Sequence, residues 1–218
     1  MKSFRAAYCA AMAGLALAVT VPTAYGSVLN PPQSAVAPDF WTSCTGCVSL
    51  GSGIFGTGST SPNLGFVYSA GVFTNDPQNP YGLNDLDFIY SIFNNATSTA
   101  LISRITATNF LGYNTDVGYF TAAVFGGTIF PTTVDRNTAN TVGFTFNSFS
   151  AGNQSVVFVI KTNATAFSTG SLNIVDSAGS STSVMAFAPV PEPGLVWPLG
   201  CGVLAMAAYW RKRANQRA

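Results

Sequence analysis

The chain has 218 residues, only 8% of them are charged, and its formal net charge is +1. It contains no histidine, which excludes Ser-His-Asp and Cys-His catalytic centres and every zinc site that needs a histidine ligand. Residues 27–189 include three basic and seven acidic residues. Three basic side chains cannot neutralise a run of phosphates, so we expect no nucleic-acid partner.

The N-terminus has the three parts of a secretory signal peptide. Lys2 and Arg5 form a short positive region, residues 6–21 are apolar, and residues 22–26 supply the small residues of a cleavage site. The apolar run is shorter than the roughly 20 residues of a membrane-spanning helix. We therefore expect export, with residues 1–26 removed and the mature chain beginning at Ser27. An uncleaved N-terminal anchor is the alternative.

Residues 27–189 are predicted to form one β-rich domain. Period-two alternation is clearest at 141–147, whereas 86–93 and 155–162 are apolar on more than one face, as central strands of a sandwich would be; the turn at 151–154 is predicted to join 141–147 and 155–162 as a hairpin. Weaker strand patterns occur at five further places: 65–73, 101–108, 118–125, 171–175 and 183–187. No stretch has a convincing helical period. About eight strands with turns between them predict an all-β, antiparallel β-sandwich of jelly-roll-like form.

Aromatic residues are expected to fill the space between the two sheets of this domain, rather than to stack on sugars. The residues assigned to that core are Phe88, Phe120, Phe144, Phe146 and Phe158.

Cys44 and Cys47 form the one reactive-looking motif of the domain. Cys9 would leave with the signal peptide and Cys201 lies in the C-terminal apolar stretch, so these two are paired by elimination. In an exported protein we expect a structural disulfide. A redox centre would need a helix N-terminus, but this motif lies in Ser/Gly-rich sequence. Zinc would need two further ligands, and the domain has no other thiol; we expect no metal and no cofactor.

Oxygen donors cluster at 75–80 and 84–87, where Asn and Asp recur between prolines and turns. Calcium binds such oxygens, although Asn-Asp-Pro is also ordinary turn chemistry. Asp85 and Asp87 are predicted to share one face of a strand, as a pair of carboxylates would in a glycosidase. No other feature of the sequence indicates an active-site cleft.

The C-terminus repeats the layout of the signal peptide in reverse order. The motif Val190, Pro191, Glu192 and Pro193 ends any preceding strand, because proline lacks the N–H donor that a strand ladder needs. An apolar stretch follows at 194–210, with a length of about 25 Å as a helix. Arg211, Lys212 and Arg213 then form a basic stop-transfer cluster, which is expected to stay on the cytoplasmic side.

These three parts, in this order, resemble the PEP-CTERM sorting signal over residues 190–218. The resemblance implies a Gram-negative host that makes extracellular polysaccharide, and processing near the Pro-Glu-Pro by an exosortase, a transpeptidase-like membrane enzyme. The chain would cross the inner membrane, remain there transiently through its C-terminal helix, and then reach the cell surface or extracellular matrix. A plain C-terminal membrane anchor is the alternative, because it needs the same helix and charges but no Pro-Glu-Pro.

The sequence thus predicts a non-enzymatic, structural or adhesive component of the cell surface or of the extracellular polysaccharide matrix. A carbohydrate- or calcium-binding module is the first alternative, and exposed aromatic residues would favour it. An exported hydrolase is the second, and it would need a cleft with at least two convergent ionisable groups.

Overall fold

A computed structural model of the chain describes residues 27–42, 44–60, 62–120, 127–138 and 140–190. All regular secondary structure in these ranges is β-strand, which confirms the all-β prediction. In chain order the strands are β1 (Ser27–Val28), β2 (Gln33–Val36), β3 (Asp39–Trp41), β4 (Val48–Ser49), β5 (Ile54–Thr60), β6 (Leu64–Thr74), β7 (Asp87–Asn94), β8 (Ile102–Thr108), β9 (Thr115–Phe120), β10 (Thr133–Thr138), β11 (Thr141–Phe149), β12 (Val157–Thr162), β13 (Phe167–Asp176) and β14 (Ser181–Pro189).

The strands form two sheets. Sheet A has the order β1-β9-β12-β7-β6-β4, with β3 also paired to β9 and β5 also paired to β6. Sheet B has the order β14-β13-β8-β11-β10-β2. All pairings of these strands are antiparallel except that of β3 with β9. Long-range antiparallel pairing of this kind is the arrangement expected of a β-sandwich.

Aromatic side chains pack the two sheets against each other. Phe144 of sheet B stacks on Phe158 of sheet A with ring centroids 5.0 Å apart, and Phe146 meets the same ring at 5.4 Å. Phe88 is buried in the same core. Phe120 is also buried, but its assignment to this core is wrong, because it lies in a separate cluster on the outer face of sheet A.

The three strong strand predictions are confirmed, but the predicted hairpin is wrong. β7, β11 and β12 lie at the predicted ranges 86–93, 141–147 and 155–162. The turn at 151–154 exists, and Gly152 supplies its positive φ of 78°. However, β11 pairs within sheet B and β12 pairs within sheet A, so the turn carries the chain from one sheet to the other. The end of the strand predicted at 118–125 lies outside the described residues.

The N-terminal part of the domain crosses the outer face of sheet A. β3 pairs with β9 near one edge, whereas β4 pairs with β6 at the other, so the described residues between them, 42 and 44–47, lie over β12 and β7. We call residues 42 and 44–47 the crossing segment. Near it, Trp41 packs with Phe120, Val157 and Val159 in an outer cluster, which buries a face of sheet A that would otherwise meet solvent.

The described part of the chain contains no helix of the length and apolar character needed to span a membrane. The predicted signal peptide at 1–26 and the apolar stretch at 194–210 both lie outside the described ranges.

Candidate functional site

Four ionisable residues converge on the outer face of sheet A. Lys161 is on β12, and strand register pairs it with Asp87 of β7 on one side and Asp116 of β9 on the other. Asp76 comes from the turn that follows β6. All four side chains are buried, with no residue more than 2% exposed. We call these residues the lysine cluster.

The ammonium of Lys161 is enclosed by an acid and an aromatic ring. Its Nζ lies 2.8 Å from Oδ2 of Asp76, and both side chains are fully buried. The same atom lies 4.1 Å from the centroid of the Trp41 ring, a cation–π contact. Trp41 therefore connects the lysine cluster to the apolar outer cluster beside it.

Turn chemistry places Asp76 in this position. Its Oδ1 accepts the backbone N–H of Gln78 at 2.8 Å, and its backbone carbonyl accepts the N–H of Asn79 at 3.0 Å. These are the local hydrogen bonds that Asp favours before Pro in a turn. The amide of Asn79 in turn donates to Oδ1 of Asp87 at 2.9 Å and to the carbonyl of Thr162 at 3.2 Å. The turn is thus attached to two strands of sheet A.

Burial and neighbouring charges separate the pKa values of the three acids. Burial, together with the adjacent Asp76 carboxyl, raises the pKa of Asp87 to about 9. Burial also raises the pKa of Asp116 to about 6, although Lys161 opposes the rise. At Asp76 burial acts in the same direction, but the adjacent Asp87 carboxyl, the nearby Lys161 Nζ and the hydrogen bond from the Gln78 N–H outweigh it and lower its pKa. The raised pKa therefore favours the protonated form of Asp87, which lies beside the salt bridge of Lys161 with Asp76.

Several polar atoms of the lysine cluster face one another without forming regular hydrogen bonds. Among the described residues, Nζ of Lys161, Oδ2 of Asp76, Oδ2 of Asp87 and Oδ1 of Asp116 have no partner in hydrogen-bonding geometry. The short distance between Lys161 and Asp76 is therefore not matched by the direction of a hydrogen bond. Buried polar atoms of this kind are costly and uncommon in folded proteins.

The cysteine motif lies against this cluster. The structure joins Cys44 to Cys47, with Cα atoms 5.5 Å apart. The fold brings together four potential metal ligands that are distant in the sequence. One ligand atom from each residue lies within 4.8 Å of the other three; the residues are Cys44, Cys47, Asp76 and Asp87. A disulfide between them would leave no thiolate to bind a metal, and Lys161 forms a salt bridge with Asp76. The disulfide and the expectation of no metal stay predictions.

The candidate calcium residues are partly brought together, although around a different cation. Asp76, Asn79 and Asp87 converge, but the cation among them is the ammonium of Lys161. The predicted pairing of Asp85 with Asp87 on one strand face is wrong. Asp85 belongs to the turn before β7, where its N–H donates to the carbonyl of Gly82, while Asp87 is the first residue of the strand.

Sequence reasoning missed Lys161, although a signal for it was present. The lysine ends the apolar run 156–160 and continues the outward face that Val157 and Val159 begin. Lysine is almost never fully buried without a partner. A lysine on an otherwise apolar strand face therefore predicts a buried counter-charge, and the acid-rich turn at 75–80 was available to supply it.

Of the sorting-motif residues, only Val190 lies within the described part. Its N–H donates to the carbonyl of Ala166 at 3.1 Å, and its own carbonyl accepts the hydroxyl of Tyr113. The other predicted tail residues lie outside the described ranges: Pro191, Glu192, Pro193, Arg211, Lys212 and Arg213.

Comparison of the chain with protein-family models, with curated proteins and with solved structures found no match in any of the three.

Proposed function

We propose that this chain is an exported, exosortase-processed, non-enzymatic protein of the cell surface or extracellular polysaccharide matrix, with a structural or adhesive role. Residues 1–26 are the signal peptide that export removes, and residues 27–189 form a jelly-roll-like domain. Residues 190–218 are the sorting signal, whose apolar helix holds the chain in the inner membrane until the exosortase acts near Pro191-Glu192-Pro193.

The position at which the domain ends carries this proposal. β14 ends at Pro189, and Val190 is hydrogen-bonded to the domain through both its N–H and its carbonyl. The Pro-Glu-Pro motif therefore begins directly after the last strand. Cleavage there would remove the apolar stretch and the basic cluster while leaving all fourteen described strands intact.

The burial of the lysine cluster supports a structural role over hydrolysis. A hydrolase needs ionisable groups that converge where a substrate can reach them. Lys161 and the three acids around it converge in the described ranges, but they are buried next to the Trp41 ring. Their placement suits the stabilisation of a domain that works outside the cell.

The experiment that tests the proposal replaces Pro191, Glu192 and Pro193 with Ala in the full chain. A processed substrate should accumulate uncleaved in the inner membrane, and an antibody against the domain would detect it there after fractionation. Arg217→Ala is the matched control, because it changes the tail but leaves the motif and the Arg-Lys-Arg cluster intact. If the triple variant keeps the mass and distribution of the wild type, the tail is only an anchor.

As a second candidate we propose carbohydrate binding at the β3 edge of sheet A. Phe40 is 62% exposed and is the register partner of Tyr119, whose ring meets the 46% exposed Phe130 at 5.1 Å. Exposed aromatic faces suit stacking on sugar rings. Phe40→Ala and Phe130→Ala should reduce retention on immobilised host polysaccharide, whereas Phe55→Ala, an exposed aromatic on β5, should not. Equal retention of all three variants would refute this site.

A further inference from the structure

The lysine cluster has the composition and geometry of a site for a covalent cross-link. We propose that Lys161 and Asp76 become joined by an amide bond between Nζ and the side-chain carbonyl carbon, with loss of one water molecule. The bond would connect β12 to the turn between β6 and β7. This inference does not depend on the proposed function, because it concerns the folded domain alone.

Proximity is the first argument. Nζ of Lys161 lies 2.8 Å from Oδ2 of Asp76, and the fold holds both groups there through strand pairing and the 75–80 turn. Holding two reacting groups in place can raise their effective concentration to about 10⁵–10⁸ M. Lysine and aspartate that meet in solution do not condense, but a pair held in contact inside a domain has this advantage.

The second argument is that the ionised pair is poorly accommodated. Neither Nζ of Lys161 nor Oδ2 of Asp76 forms a hydrogen bond of regular geometry with a described residue. Both atoms are buried, so an ion pair there bears the cost of desolvation. Condensation neutralises Nζ and removes one oxygen, which leaves a neutral amide with a single N–H to satisfy.

The chemistry balances with the groups present. A proton passes from the Lys161 ammonium to Oδ2 of Asp76, which gives a neutral amine and a carboxylic acid. The amine nitrogen attacks Cγ of Asp76, and the carbonyl electrons move onto Oδ1. Asp87 then gives its proton to the Oδ2 hydroxyl, the C–O bond breaks, and water leaves as the C=O bond re-forms. The Asp87 carboxylate takes the surplus proton from Nζ and is restored.

Three neighbours are placed to assist these steps. The N–H of Gln78 already donates to Oδ1 of Asp76, where negative charge develops during the attack. Asp87 is held by the Asn79 amide through Oδ1, while its Oδ2 has no partner among the described residues and can carry the proton. Trp41 lies over Nζ and excludes water, whose presence would stabilise the separated ions.

Peptide mapping of the purified full chain tests the proposal directly. Trypsin cleaves after Arg104, Arg136 and Lys161 within the domain, and an amide-linked Lys161 would resist cleavage. The peptide that contains Asp76 should therefore remain joined to a peptide that begins at Asn137 and, uncut at Lys161, continues to Arg211. The mass of the joined species should be one water below the sum of the masses of these two peptides. Fragment ions should place the link on Asp76. Cleavage at Lys161 with both peptides free and unmodified would overturn the proposal, and a link to another acid would overturn its assignment.

Matched variants separate the amide bond from other losses of water. Lys161→Arg keeps a cation beside Asp76 but should abolish both the link and the water loss; a persisting water loss would mean that an acid dehydrates alone. Asp87→Asn should leave most of the chain unlinked, because it removes the proton donor. Asp135→Asn makes the same change at a buried aspartate in sheet B and should link fully. Equal linkage in Asp87→Asn and Asp135→Asn would overturn the role of Asp87.

Discussion

Replacement of Arg136 by Lys should destabilise the domain by about 3 kcal/mol. Arg136 is on β10 of sheet B and is 1% exposed. One terminal nitrogen donates to the carbonyls of Leu29 and Tyr113, at 3.2 and 2.8 Å, and to the hydroxyl of Thr115 at 3.2 Å. The other donates to the carbonyl of Phe110 at 2.5 Å. The side chain thus joins sheet B to β9, to the loop before it and to the end of β1.

The magnitude follows from the number of acceptors that Lys cannot reach. Arg136 serves four acceptors with two nitrogens of a planar fork, whereas Lys brings one nitrogen on a flexible stem. We expect about two of the four acceptors to lose their donor, and each buried acceptor left unpaired costs roughly 1–3 kcal/mol. A loss of about 3 kcal/mol is large beside the 5–15 kcal/mol total stability of a typical domain.

The assay is urea unfolding of residues 27–190, followed by the fluorescence of Trp41, the only tryptophan in that range. Arg104→Lys is the matched control, because Arg104 is 31% exposed and binds Asp135 at 2.6 Å. Lys keeps the charge there and water reaches the site, so we expect a loss below about 1 kcal/mol. If Arg136→Lys costs no more than Arg104→Lys, the four hydrogen bonds do not stabilise the domain as argued.

Three further predictions concern pH and packing. Burial raises the pKa of Asp116 from 3.8 to about 6, so the folded state keeps the proton of this carboxyl to a higher pH than the unfolded state does. The stability of the wild type relative to Asp116→Asn should therefore fall as the pH rises from 3.8 to about 6. At Asp176 burial raises the pKa, but hydrogen bonds from the Thr60 hydroxyl and from nearby backbone amides outweigh it, and the pKa of this carboxyl is lowered. The stability of the wild type relative to Asp176→Asn should therefore fall as the pH drops below 3.8. Urea midpoints measured across pH would show both effects, and profiles of the same sign would contradict one of the two assignments. Gly118→Ala should cost about 1–3 kcal/mol in thermal unfolding, because its Cβ would overlap the carbonyl of Asp39 on the paired strand β3; an unchanged midpoint would argue against that pairing.

Local pattern predicted the strands that are rich in apolar residues, and it missed the short strands β1 to β4 and two longer strands rich in Gly, Thr or charged residues, β5 and β10. β7, β11 and β12 present alternating or continuous apolar residues to a core, so their sequences carry the signal. β1 and β4 have two residues each and depend on partners far along the chain, at Val117 and at Thr74. Their strand character comes from tertiary pairing, which no local window contains.

The same reason explains the wrong hairpin at 151–154. A turn with a glycine at positive φ reverses or redirects a chain, and its sequence does not say which sheet receives the next strand. Here Phe144 and Phe158 stack across the space between the sheets, so the two strands face each other instead of pairing. Aromatic residues on both strands predicted that the strands share a core. A shared core is compatible with two strands paired in one sheet and equally with two strands packed across the space between two sheets.

The lysine cluster shows how much of a site can be present in the sequence without being recognisable. The turn at 75–80 and the acid at 87 were identified as neighbouring oxygen donors, and the cysteines at 44 and 47 as a pair. What joins them is the crossing segment: the strands on either side of it, β3 and β4, pair at opposite sides of sheet A, so the segment carries the cysteine motif across the acids. That path is a property of the topology.

The position of the cation also depends on topology. Lys161 is 85, 74 and 45 residues along the chain from Asp76, Asp87 and Asp116, and the pairing of β12 between β7 and β9 brings it to the last two of these acids. A buried lysine with three acids is an expensive way to stabilise a sheet face, since apolar residues of similar volume would avoid the desolvation of the charges. The neighbouring positions on the same face of β12, Val157 and Val159, are apolar. Stabilisation by charge does not explain why the next position on this face is a lysine. Formation of the proposed amide bond with Asp76 does explain it, because that bond requires an amine at this position.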